Sequence, residues 1–433
     1  MKLAKYLKPY LPFAIVSPLL MMGEVLADLS LPYLMSFIVD YGITDGGLEA
    51  IKNSKTAYSI MNALYGTDNY SQMGIILTFG VMMLLIVLVG GFFGTFCAYT
   101  AAKASQGFGH DLRCDAYSAV MSLSIEQTDK FTTGSLVTRM TNDISMLIDF
   151  VEMILRMCIR SPMFFIGGTI MLLSLDVKFG VVLLCSLPIL LVTLILVLSK
   201  AVPLYGNVQK KLDKVNSVVQ ENIGGARVVK AYVREDYETD RFIAANKDLR
   251  DINMKVLKMM SVITPVLNII QNFAIIAIIL IGGINVKNGI SGMSVGTIMA
   301  GITYVTQVIM SVMMVTMMFQ SISRAVASGK RVTEVLDSAP VIKSGDEYAD
   351  ESDVAVSFRN AEFRYPGTTG DSVLHDINLD IKKGETFAII GSTGCGKTSL
   401  VNLIPRFYDV TSGEVLVDGL NVKDYDLKKL RRK

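Results

Sequence analysis

Apolar residues along this chain fall into six long runs, each near the length needed to cross a bilayer as a helix. They cover 12–39, 75–101, 150–175, 179–204, 262–286 and 295–321, the first being the least apolar. The third and fourth nearly touch at SLDVKFG, which predicts a tight turn, and only KNGISGMS joins the fifth and sixth. The connections after the second and fourth runs are long. Both AVMSLSIEQTDKFTTGSLVTRMTNDISMLIDFV and VQKKLDKVNSVVQENIGGARVVKAYVREDYETDRFIAAN keep helical apolar spacing, broken by a Gly-containing stretch. Helices are therefore predicted to continue past the membrane, turn and return. The opening KLAKYLKPY reads as a short amphipathic helix at the membrane surface. Beyond Arg324 the pattern changes. SRAVASGKRVTEVLDSAP reads as a helical exit and KSGDEYADESD as a polar linker. VAVSFRNAEFRYP and SVLHDINLDI alternate like paired strands, and ETFAII is a short apolar strand. The expected organisation is a membrane domain over 1–325, an exit and linker over 326–353, and an α/β segment over 354–433.

Composition agrees with the runs. Apolar residues make up 51%, charged residues 18%, and mean hydropathy is +0.46, a balance that excludes an ordinary soluble enzyme. The net charge of +2 says little; its distribution says more. Lys103, Arg113, Lys130 and Arg139, then Lys210, Lys211, Lys214, Arg227, Lys230 and Arg234, crowd the two long connections. Basic loops stay on the cytoplasmic side, so both termini are expected there, in the cell membrane. The connection from Tyr41 to Gln72 sets Asp45, Glu49 and Asp68 against Lys52 and Lys55, which suits the outside. It also carries the sequon Asn69-Tyr70-Ser71. No Ala-x-Ala site follows the first run, so it is expected to be an uncleaved anchor. Cys97, Cys114, Cys158, Cys185 and Cys395 show neither paired nor metal-ligand spacing and read as reduced thiols.

Two groups of residues carry candidate chemistry. Directly after ETFAII comes Gly391-Ser392-Thr393-Gly394-Cys395-Gly396-Lys397-Thr398, a full phosphate-binding loop between a predicted strand and a predicted helix over 397–404. Glycines let the backbone curl so that N–H groups face phosphate oxygens. The loop and Ser399 are expected to hold ATP, with Lys397 reaching the β and γ phosphates and Thr398 offering its hydroxyl to Mg²⁺. In the membrane runs, Glu24 and Asp28 are spaced i, i+4, as are Arg156 and Arg160. Such charges face the protein interior or water and pair with one another. An ion pair inside the bundle and a substrate or proton site both remain open.

Several stretches resemble ABC exporter half-transporters of the multidrug or lipid type: TTGSLVTRMTNDI, ENIGGARVVKAYVREDYE, SRAVASGKRVTEVLD, and LHDINLDIKKGETFAIIGSTGCGKTSLVNLIPRFYDVTSGEVLVDG. The resemblance covers nearly the whole chain. It implies an α-helical membrane domain of six transmembrane helices with long cytoplasmic extensions, followed by an α/β P-loop nucleotide-binding domain. It implies that Tyr365 stacks on adenine and that coupling helices fall near 123–131 and 225–232. In the second, Gly225 turns the chain and apolar Val228, Val229 and Tyr232 press against a nucleotide domain. It implies a second half-transporter as partner, a small-molecule, lipid or peptide cargo, and no nucleic acid. The family's glutamine loop, LSGGQ signature, Walker B strand and switch histidine do not follow the loop here; His110 and His375 both precede it. The nucleotide-binding domain is therefore expected to be incomplete, with no catalytic residues in this stretch and no ATP hydrolysis by it alone. The complete protein is expected to couple ATP hydrolysis to export. A non-transporting ATP-gated regulator and an inert truncated product are the alternatives. VIMSVMMVTMMFQ suits either an adaptable ligand surface or plain helix packing.

Overall fold

In the computed structural model, residues 2–44, 47–65, 71–288, 293–350 and 352–433 are described. Asp45, Asp68, Asn69 and Tyr70, and with them most of the sequon, lie outside these residues, as do residues 289–292 of the KNGISGMS connection. The chain is mostly helical. In order come α1 (Leu11–Phe37), α2 (Gly47–Ala50), α3 (Lys55–Tyr65), α4 (Gln72–Ser122), α5 (Ile125–Phe131), α6 (Thr133–Thr138), α7 (Ile144–Leu175) and α8 (Val177–Gly224). They are followed by α9 (Ala226–Ala231), α10 (Glu235–Met260), α11 (Ile263–Lys287) and α12 (Val295–Asp337). Strands β1 (Val354–Phe363) and β2 (Leu374–Lys382), helix α13 (Lys397–Leu403), strands β3 (Ser412–Val417) and β4 (Leu420–Asn421) and helix α14 (Leu427–Leu430) complete the order. Among the described residues six helical stretches are long and apolar enough to cross a membrane.

Two compact units emerge. One comprises residues 15–100 and 154–319. Its core takes Met21, Val25 and Leu29 from one stripe of α1, spaced i, i+4, i+8, together with Phe164, Leu172, Phe179, Ile278, Tyr304 and Val308. The buried Tyr304 hydroxyl donates to the Leu29 carbonyl at 2.7 Å, so no polar atom is stranded there. The opposite faces stay exposed: Leu19, Leu26, Leu84, Leu88, Leu184 and Ile195 are each more than half accessible. Exposed apolar rows of this length are tolerable only against lipid. The tight turn at SLDVKFG is a single residue. Asp176 is extended, and its carboxylate accepts the Lys178 amide at 2.7 Å, capping α8. The connection over 41–72 contains α2 and α3. Ile51, Ala57 and Met61 from it are buried against Leu34, Phe37, Ile75 and Phe79, so its apolar spacing outweighs its charges. The second long connection forms a helical hairpin, α8 returning as α10 around the short α9, with Arg241 paired to Glu221 and Lys211 to Asp248.

The other unit comprises residues 1–14, 101–153 and 320–433. Residues Lys2–Tyr10 form a 3-10 helix rather than an α-helix. Three residues per turn set Lys2, Lys5 and Lys8 in one exposed row and Leu3 and the buried Tyr6 in another. Tyr6 packs with Phe108, Leu112, Ile144, Leu147 and Val332, and its hydroxyl donates to Asp115 at 2.8 Å. The first long connection turns through α5 and α6. Ser124 and Gln127 form a capping box at the head of α5. The chain then returns through a one-turn π segment at Arg139–Asp143. Asp143, buried, is gripped by Arg331 and accepts from Ser328 at 2.8 Å, tying this turn to α12. The Arg331 hydrogen bonds hold the Asp143 carboxyl below its ordinary range.

Strands β2-β1-β3-β4 form one antiparallel sheet in that order. Phe358, Ala361, Phe363, Val415 and Val417 pack over Leu400 and Leu403 of α13. The predicted strand ETFAII corrects the sequence reading. Residues 385–390 make no ladder, and Phe387, Ile389 and Ile390 are exposed, Ile390 at 95%. A strand needs a neighbour to bond, and no described strand lies beside it.

Candidate nucleotide-binding site

The loop between residue 390 and α13 is shaped by its glycines. Gly394 and Gly396 sit at φ of 91° and 89°, where a side chain would be strained. A Cβ on Gly396 would also lie 2.9 Å from the Leu374 side chain and 3.1 Å from the Val373 carbonyl, so the loop presses on the start of β2. Gly391 has a similar constraint from within, since a Cβ there would meet the Cys395 sulfur at 2.6 Å. The Lys397 ammonium turns back into the curl, donating to the carbonyls of Gly391 at 2.8 Å and Ser392 at 2.7 Å. Ser392, Thr393, Gly394 and Cys395 are exposed around it, and Thr398 is exposed beside it at the head of α13. The first helical bond of α13 runs from the Leu400 amide to the Gly396 carbonyl, so the three amides before Leu400 have no helical partner. A cation ringed by a tight glycine turn and free amide directions fits a polyphosphate. A hydroxyl next to that cation fits a phosphate-bound divalent ion.

Ser399 is placed differently from its loop neighbours. It is buried, and its hydroxyl lies 2.9 Å from that of Tyr365. Tyr365, half-buried two residues after β1, meets Phe363 and Tyr408 edge-on with ring centroids 4.9 and 5.4 Å away. Tyr408 is buried and donates its hydroxyl to Asp129 of α5 at 3.1 Å. Burial first, and Asp129 second, push the Tyr408 hydroxyl up to about 12, so it remains a donor. Two positions earlier on α5, Gln127 donates to the Ala339 carbonyl at 2.8 Å and accepts the Val341 amide at 3.3 Å. Sequence reasoning placed a coupling helix over 123–131 but named none of Tyr408, Asp129 or Gln127 as participants.

A family model for the ABC transporter transmembrane region matches residues 14–312, and the ABC transporter model matches 374–433. The chain belongs to the ABC transporters. An uncharacterized ABC transporter ATP-binding protein of Mycobacterium tuberculosis is 32% identical over 431 residues, covering 99% of this chain and 69% of that protein. The uncharacterized ABC transporter ATP-binding protein YfiB of Bacillus subtilis is 31% identical over 431 residues, 100% of this chain and 70% of its own length. An ATP-dependent lipid A-core flippase of Pseudomonas aeruginosa is 30% identical over 361 residues, 82% of this chain and 58% of the flippase.

Within this ABC transporter chain the remaining candidate residues fall in two places. Gly225 closes α8, its amide bonding the Glu221 carbonyl at 2.8 Å, and starts α9. Val228, Val229 and Tyr232 line a shallow groove of about 470 Å³ with Arg234, Tyr237 and Glu238. Val228 and Tyr232 are exposed, with Val233 and Tyr237 beside them. Glu24, Asp28, Arg156 and Arg160 come together around one cavity of about 630 Å³. Arg160 donates to Glu24 at 2.7 Å and to Asp28 at 3.4 Å, and its guanidinium lies 5.4 Å from the Phe164 ring centre. Arg156 lines the same cavity. The glycine face of α4, Gly90, Gly91 and Gly94, forms another wall. A Cβ on Gly94 would stand 3.0 Å from the Glu24 carboxylate, so a side chain there would press on the carboxylate that Arg160 holds.

Proposed function

We propose that the protein is one half of a dimeric exporter of the cell membrane that uses ATP to move a small or amphipathic substrate by alternating access. The observation that carries this reading is the Lys397 ammonium held inside a glycine loop, on the same chain as six membrane-crossing helices. A lipid is the cargo class supported best, because several relatives are named lipid A-core flippases. Both termini then face the cytoplasm, as the basic connections favour.

In this reading the loop amides and Lys397 hold the phosphates, Thr398 orients the divalent ion, and Tyr365 supports the base. Bound MgATP supplies the free energy that makes one of two membrane conformations the more stable. Groups on α5 and α9 transmit the difference between those conformations, and Val228, Val229 and Tyr232 offer an apolar face to a nucleotide domain of the same or a second subunit.

Binding of a fluorescent ATP analogue with Mg²⁺ to the protein in nanodiscs tests the core of it. Lys397→Ala should weaken binding by about ten- to a hundredfold, the worth of one charge-assisted hydrogen bond. Cys395→Ala should stay within about threefold of wild type, since its sulfur lies 3.6 Å from that ammonium at the edge of the loop. Equal affinity in Lys397→Ala and wild type would remove the loop from the mechanism.

A further inference from the structure

We infer that the groove beside the Lys2–Tyr10 helix holds an anionic phospholipid from the leaflet on the side of the long basic connections. An acyl chain lies on its apolar lining, and the phosphate lies against Lys330 and Lys2 at its rim. The inference rests on the membrane-crossing helices and is independent of the ATP reading of the loop. The groove encloses about 720 Å³, the size of an ordinary ligand site. Leu3, Leu7, Phe108, Leu147, Phe150 and Val326 give it an apolar lining. All of its walls belong to one compact unit. They also sit at one level. Leu7 precedes the first apolar run by five positions, Phe108 follows the second by seven, Phe150 opens the third, and Val326 follows the sixth by five. At about 1.5 to 2 Å per residue, that keeps the lining within about 10 Å of the hydrocarbon edge, at the height of the headgroups.

The helix that forms one wall is fixed by two tyrosines. Tyr6 donates to Asp115 at 2.8 Å and Tyr10 to Asp111 at 3.4 Å, two acids one turn apart on α4. The Tyr10 ring lies so close to α4 that a Cβ on Gly107 would overlap it, at 2.2 Å. Docked in this way, the helix leaves Lys2, Lys5 and Lys8 exposed. The two acids on the rim of the groove already hold cations: Asp337 takes Lys2 at 2.8 Å and Glu334 takes Arg139 at 2.8 Å. Among the described residues, Lys330 on the rim and Lys5 and Lys8 on the far side of the helix pair with no acid. Lysines clustered beside a membrane helix attract anionic lipids. The apolar wall decides between a lipid and a soluble anion. Val326 is 53% exposed, and an acyl chain covers it where inorganic phosphate cannot.

The chain has no tryptophan, so Phe150→Trp places a single fluorophore in the lining of the groove. The full chain, in nanodiscs of phosphatidylcholine, is given either phosphatidylglycerol or phosphatidylcholine brominated in its acyl chains. Quenching is followed against the brominated fraction. Phosphatidylglycerol should show an apparent affinity about fivefold or more above phosphatidylcholine, the worth of one lysine beside an anionic headgroup. Raising the salt should shrink that preference, because the lysines are exposed. Lys330→Gln should bring the preference close to one and Lys330→Arg should keep it. Lys5→Gln with Lys8→Gln should lower it less. Inorganic phosphate at matched ionic strength should leave the quenching unchanged. Equal quenching by the two lipids, or quenching by neither, at Phe150→Trp and at a second reporter on the exposed wall, Val326→Trp, overturns the inference. So does a preference that survives all three lysine-to-glutamine changes together, or displacement of the lipid by inorganic phosphate.

Discussion

Replacing Arg160 removes the cation that two carboxylates share inside the membrane runs. Glu24 lies 2.7 Å and Asp28 3.4 Å from its guanidinium. At an effective dielectric of about 20 those contacts are worth roughly 6 and 5 kcal/mol of gross attraction. Most of this is offset by taking the ions out of water, and the side chains keep 30%, 17% and 35% of their accessibility in Arg160, Glu24 and Asp28. The net coupling should therefore be about 2 kcal/mol for Glu24 and about 1 for Asp28, within the usual range for directly bonded neighbours. Arg160→Gln alone should cost more than either coupling, about 3 kcal/mol, because it leaves two acids i, i+4 on α1 without their counter-charge. The assay is unfolding in mixed micelles followed by circular dichroism, run as two double-mutant cycles, Arg160→Gln with Glu24→Gln and with Asp28→Asn. Each double variant should be less damaged than the sum of its singles, and the Glu24 cycle should show the larger difference. Strict additivity in both cycles would refute direct pairing. The reverse ranking would show that distance does not set the balance and that solvation of Asp28 in the cavity does.

Two further outcomes can be checked separately. Tyr232→Glu places a charge in the apolar groove beside α9; in the complete protein, substrate moved per ATP should fall several-fold with nucleotide binding unchanged, and a normal ratio in vesicle transport would dissociate this face from coupling. For Asp143, the folded-state pKa is depressed by Arg331, so its contribution to stability is complete above the ordinary carboxylate value of about 3.9 and is lost as pH falls through the lower, folded value. Asp143→Asn should lower the thermal midpoint at pH 7 and narrow that gap as the pH drops below about 4; a gap that is constant with pH would show that the carboxylate's charge plays no part.

What could be read from the sequence was whatever a local rule dictates. A bilayer demands about twenty apolar residues per helix, so the six runs were visible without any tertiary knowledge. The glycine loop with its enclosed lysine was equally plain, because backbone curl and a cation at one spacing are local demands. Interactions that join distant segments left no such trace. Tyr408 and Asp129 are 279 positions apart, and neither RFYDV nor IEQTDKF announces the other. The strand read into ETFAII failed for a related reason: a short apolar run states a preference, but a ladder needs a partner. The charges of the 41–72 connection say nothing of α2 and α3; the four-residue spacing of Ala57 and Met61, which the buried Ile51 joins in the core, is the local signal for the helix there. Gly94 carried no signal at all; its role is visible only once the Glu24 carboxylate is found against it.

Helix α8 runs unbroken for 48 residues, from the Asp176 cap to Gly225. At about 1.5 Å per residue it is about 72 Å long, more than twice the roughly 30 Å of hydrocarbon it has to traverse. Such a rod is a mechanical amplifier. A rotation of about 5° about its capped end displaces the far tip by about 6 Å, a little over one helical turn. Small repacking around Phe179 and Leu183, close to the cap, is thereby converted into a stroke at α9 large enough to make or break a side-chain contact there. Pro188 and Pro203 lie within the rod and remove two of its backbone bonds, so they set its stiffness and hence how much of that stroke is delivered.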